Sequence, residues 1–185
     1  MLKLHISLLV FMLTVFTAYA ADVADSSSYN YVGVKKCKMC HSAERGGGQY
    51  VIWQHSRHAQ AFADLASDTA KAIAKSRGLG DPQKSPECLR CHVTGYGLPA
   101  SRFESTYSAE DGVGCESCHG AGSGYWKATI MKSIYEGTAR ASDYGLVVPS
   151  SGEVCTRCHN SQSPFFRGFD FHADSAKIAH PIPKK

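Results

Sequence analysis

Past residue 20 this chain has no apolar run long enough to cross a bilayer, no convincing alternation of apolar and polar residues, and no repeat of constant period. Each absence closes a class. A spanning helix needs about 20 consecutive apolar residues, so residues 21–185 are expected to carry no membrane span. Without alternating runs a sheet-built architecture is not expected, which leaves a mainly helical fold with much irregular chain. Basic residues are scattered, and Lys35, Lys36 and Lys38 form the one tight cluster, so a nucleic-acid partner is not expected. That cluster reads as a solvated face, or as a docking patch that steers a partner by charge.

One long apolar run does occur, from Ile6 to Phe16, behind Lys3 and ahead of Ala18-Tyr19-Ala20. A positive start, a short apolar stretch and a small-x-small site make a signal peptide of residues 1–20, cleaved after Ala20. The protein is therefore expected in the periplasm or outside the cell, with residues 21–185 as one domain. A formal charge of +4 would favour acidic partners only weakly, because bound cofactors add charges of their own.

No cysteine stands alone. All eight fall in pairs two residues apart, each followed by histidine: Cys37-Lys38-Met39-Cys40-His41, Cys88-Leu89-Arg90-Cys91-His92, Cys115-Glu116-Ser117-Cys118-His119 and Cys155-Thr156-Arg157-Cys158-His159. Four histidines so placed by chance is an event on the order of 10⁻⁵. A disulfide framework or zinc site does not require that histidine, whereas covalent haem attachment does: two thiols add to the vinyl groups of one haem and the histidine becomes its proximal iron ligand. The expected cofactors are four c-type haems on these eight cysteines, with His41, His92, His119 and His159 on the irons.

At about 40 residues per motif the chain is too short to build an ordinary core around each haem. The haems themselves are expected to form the core, close enough for electron hopping. Around them, Val51, His55, His58, Phe62 and Leu65 recur at helical spacing as one buried stripe after Gly46-Gly47-Gly48. A second helix is expected from Asp68 to Arg77, capped by Ser67 and stopped by Gly78. Pro82 to Pro86 reads as linker, a third helix should run from Tyr125 to Tyr135, and a short one should precede Pro181.

Each iron has a second axial position. Outside the motifs the candidates are His55, His58, His172, His180 and Met131, since a thioether also binds haem iron. Met39, inside an attachment loop, is not expected to serve.

The chain resembles the tetrahaem cytochrome c-554 family. The likeness rests on Lys35-Lys36-Cys37 before the first motif, Trp53 five residues ahead of His58-Ala59, Cys91-His92-Val93-Thr94-Gly95-Tyr96-Gly97, and Gly112-Val113-Gly114-Cys115-Glu116-Ser117-Cys118-His119-Gly120. It implies a small multihaem cytochrome fold, with His58 and His180 as distal ligands of haems other than the first. The family's remaining distal histidine follows the third motif, where this chain has Met131, so the resemblance implies one histidine/methionine haem. It also implies a five-coordinate haem on Cys88, Cys91 and His92. The function expected is electron transfer between redox partner proteins. An enzyme acting on a small nitrogen oxide or hydroxylamine at an open haem, or a subunit of an extracellular haem filament, are the alternatives.

Overall fold

The computed structural model describes residues 28–182; the expected signal peptide, residues 1–20, lies outside them. Among the described residues the chain forms short helices: α1 Val34–His41, α2 Gln49–Gln54, α3 Ala61–Asp64, α4 Asp68–Ser76, α5 Pro86–His92, α6 Glu116–His119, α7 Ala128–Glu136, α8 Glu153–Thr156 and α9 Phe171–Ser175. The longest have nine residues, below the roughly 12–15 at which an isolated helix becomes marginally stable. Each therefore depends on what it packs against. Among the described residues, the extended pairing is an isolated parallel bridge between Tyr31 and Phe103. The mainly helical, largely irregular fold expected from the sequence is what the chain adopts.

Local signals place some elements well. Ser67 accepts the N–H of Ala70 at 3.2 Å and starts α4, and Gly78, at φ +68°, takes the left-handed turn that ends it. Others are displaced. Pro86 is not linker but opens α5 at its first turn, where its missing N–H costs nothing. The third helix starts at Ala128 rather than Tyr125, because Gly122–Gly124 and Tyr125 are spent in a tight 3₁₀ turn.

The single stripe from Val51 to Leu65 is broken. Val51 is 42% exposed while Leu65 is buried at 5%. The helix stops at Gln54 because the chain beyond is claimed by a tertiary partner: His58 C=O accepts from Val113 N–H at 3.0 Å as well as from Ala61 N–H at 3.2 Å. Trp53 Nε1–H reaches Val113 O at 2.8 Å. Gly112, at φ +69°, makes the approach possible, since a Cβ there would lie 2.9 Å from His58 O.

Buried apolar side chains are few and mostly small, namely Val32, Val34, Ala61, Leu65, Ala74, Val93, Ala121 and Tyr125 among the described residues. Polar pins supplement them. Glu116, 3% exposed, accepts the N–H groups of Val32 (2.8 Å), Gly33 (2.8 Å) and Gly122 (2.7 Å). Thr94 Oγ1 accepts Gly114 N–H at 2.8 Å, and Tyr107 O–H donates to Thr94 O at 2.6 Å. Through these bonds the segment ahead of the first motif is fastened to the third.

Candidate haem-attachment and ligand sites

The four motifs use helix geometry to aim their groups. α1, α5 and α6 each end on the motif histidine, while in the fourth motif α8 holds Cys155 and the following turn carries Cys158 and His159. Residues i, i+3 and i+4 share a helix face, so two sulfurs and an imidazole point the same way. All eight thiols are unbridged.

Three of the four histidines have their ring orientation set. His41 Nδ1 lies 3.2 Å from Gln49 Oε1, His92 Nδ1 2.5 Å from Ala61 O, and His119 Nδ1 2.9 Å from Val147 O. A carbonyl oxygen only accepts, so Nδ1 carries the proton and Nε2 keeps its lone pair. That is the tautomer and anchoring of an imidazole poised to bind a metal through Nε2.

Two of the expected distal histidines face motif histidines. The His58 and His159 rings stand 5.9 Å apart, near perpendicular at 81°, and the His180 and His119 rings 5.8 Å apart at 45°. Two imidazoles on one metal, each bonded at about 2 Å, place their ring centres roughly 6 Å apart. Burial, then the facing imidazole, pushes the pKa of His58 below the ordinary histidine value, and His180 is lowered by burial and by His119 and His41. Neutral imidazole is the ligating form. The thiol pairs, the anchored proximal rings and these two histidine pairs fit bis-ligated c-type haem.

The other candidates are placed differently. Met131 sits half-buried in the middle of α7. His55 is exposed, its Nδ1 on Val51 O of its own helix at 2.8 Å, and His172 packs edge-on to Phe171 at 5.5 Å. Met39 is 72% exposed. In the lysine cluster, Lys36 lies over the Trp126 ring at 4.3 Å and Lys38 over Tyr50 at 5.2 Å.

Motifs meet in an order unlike that of the sequence. Cys37 of the first lies beside Cys115 of the third. Cys118 of the third lies within electrostatic reach of Cys155 of the fourth, where α6 packs on α8 and Arg157 donates to Ser117 O at 3.0 Å. Cys158 of the fourth lies beside Cys91 of the second. The spatial order is first, third, fourth, second. Sequence reasoning missed this order, and missed Gln49, Ala61 and Val147 as partners of the motif histidines. Two of those three act through backbone carbonyls, which no side-chain pattern marks.

Known proteins share these features. A family model described as cytochrome c554 and c-prime matches residues 36–120. Cytochrome c-554 of Nitrosomonas europaea is 36% identical over 118 residues, which are 61% of this chain and 45% of that protein, so the match spans under half the relative's length. The solved structure of the reduced state of cytochrome c554 from Nitrosomonas europaea superimposes with a TM-score of 0.52 at 26% identity, covering 80% of this chain and 78% of that one. Sequence over the first three motifs and fold over most of the described residues agree in likening the chain to the cytochrome c-554 family of multihaem c-type cytochromes.

Proposed function

We propose that this chain is an exported tetrahaem cytochrome that passes electrons between redox partner proteins in the periplasm or outside the cell. The observation that carries the proposal is the facing of His58 on His159 of the fourth motif and of His180 on His119 of the third, at ring separations of 5.9 and 5.8 Å, beside thiol pairs placed for covalent attachment. Bound haem supplies one-electron chemistry at iron. The chain's residues do the rest: Cys37, Cys40, Cys88, Cys91, Cys115, Cys118, Cys155 and Cys158 tether, and His41, His92, His119 and His159 ligate.

In this reading His58 shares an iron with His159 and His180 shares one with His119, supported by the ring separations of 5.9 and 5.8 Å. Met131 is the distal ligand of the first haem, and the second haem is five-coordinate with His92 its one protein ligand.

Mass measurement of the exported protein tests the architecture: four haem increments and no free thiol are expected, and a reactive thiol or a disulfide overturns it. The ferric protein should hold one high-spin haem that takes up nitric oxide. A fully low-spin spectrum indifferent to nitric oxide removes the open haem and leaves the electron carrier. Potentiometric titration should show the methionine-ligated haem at the highest potential of the low-spin set.

A further inference from the structure

Gln49 opens α2, and its side-chain amide stands between two of the proposed ligand positions. Oε1 lies 3.2 Å from His41 Nδ1. Nε2 donates to Gly46 O at 2.7 Å and to Pro181 O at 3.0 Å. Pro181 follows His180, whose ring faces His119. With Nε2 committed to two carbonyls, Oε1 must be the acceptor, so the amide dictates that His41 Nδ1 is protonated and Nε2 free for a metal. Gly47 makes room: at φ +99°, a Cβ there would sit 2.6 Å from Gln49 Nε2 and 2.7 Å from Pro181 O. The acceptors of His92 and His119 are backbone carbonyls, whereas that of His41 is a side chain whose far end holds a second site.

Building on the tetrahaem reading, we infer that Gln49 is a positioning residue joining the first and third haem sites. Through Oε1 it orients His41 and sets how strongly that imidazole donates to its metal, because the acceptor on the outer nitrogen governs ligand basicity. Through Nε2 it seats the His180-Pro181 segment against His119. One side chain thus couples the electronics of one site to the assembly of another, across 132 residues of sequence.

The test uses the exported holoprotein, with haem content verified by mass, as wild type, Gln49→Ala, Gln49→Glu, Gly47→Ala and His180→Ala. Removing the acceptor should raise the potential of one haem, and a carboxylate should lower it. A tenfold change in the ferric-to-ferrous preference, about 59 mV for a one-electron couple, is the size expected in each direction. The low-spin ferric signal that His180→Ala abolishes should be weakened in both Gln49 variants and in Gly47→Ala, which leaves Gln49 in place but wedges it from Pro181. Opposite potential shifts are the signature that a purely structural role would not produce. Potentials that stay put or move the same way in both variants, or a His180-dependent signal of wild-type strength, overturn the inference while a wild-type mass with four haems leaves the tetrahaem reading standing. A wild-type mass lacking them overturns both.

Discussion

Residues 28–125 and residues 146–182 are held in different ways. The first region is cross-pinned by polar side chains far apart in sequence: Glu116 on Val32, Gly33 and Gly122, Arg102 on Tyr29 O at 2.6 Å, Thr106 on Val32 O at 2.6 Å, and Trp53 on Val113 O. In the second, among the described residues, side-chain bonds such as those of Asn160, Asp170 and Lys177 are local. Its links back land beside the proposed ligands: Val147 on His119, Arg157 on Ser117, Gln49 on Pro181, and the two histidine pairs. One region is folded by its own polypeptide, the other is fastened where the proposed metal sites are. The family match ends at residue 120, close to where the self-pinned region ends.

The largest break in that contrast should come from the attachment cysteines. Cys115→Ser or Cys118→Ser strikes the motif that Glu116 fastens to the chain ahead of the first, and should abolish recovery of folded holoprotein. Cys155→Ser or Cys158→Ser should leave a protein in which residues 28–125 resist limited proteolysis while the C-terminal third is cut. Equal loss from both sets would erase the distinction.

Next comes Glu116→Ala, which strands three buried N–H groups and should cost about 3 kcal/mol, seen as a fall in melting temperature of the holoprotein. A cost under about 0.5 kcal/mol would mean that the carboxylate is not the fastener described here. Glu116→Gln should be intermediate, keeping one acceptor oxygen of two.

His58→Ala and His180→Ala should each convert one low-spin haem to high-spin and expose the C-terminal third to protease, with residues 28–125 unchanged. If the low-spin population does not move, the ring pairs do not share an iron, and His55 or His172 becomes the better candidate.

The smallest effect concerns Asp111, whose Oδ2 is buried without a hydrogen-bond partner. Burial pushes its pKa above the ordinary carboxylate value, opposed by Lys35. A raised native pKa means the folded state holds the proton more tightly, so this group weakens folding progressively as pH rises through the unfolded carboxylate value. Asp111→Asn should therefore stabilise by under about 1 kcal/mol at pH 7, with the gain vanishing near pH 3. A gain that persists in acid would point to packing rather than charge.

Sequence pattern and structure part company where partners are distant. The Ser67 cap and the Gly78 stop were legible because capping is settled within four residues. The stripe from Val51 to Leu65 was misread as continuous because its period says nothing of Val113, which takes the His58 carbonyl and bends the chain. Pro82 to Pro86 reads as linker in the sequence, although the first turn of a helix, where Pro86 sits, is where proline is tolerated.

The attachment chemistry belongs to the sequence alone: two thiols and an imidazole at i, i+3 and i+4 share a face by local geometry, whatever the rest of the chain does. Tertiary structure alone decided that His58 meets His159 and His180 meets His119, that the motifs lie in the order first, third, fourth, second, and that a glutamine amide spans two sites. The two ring pairs and the glutamine bridge join residues 61 to 132 positions apart through backbone carbonyls and ring faces, and no period or spacing encodes a contact of that range.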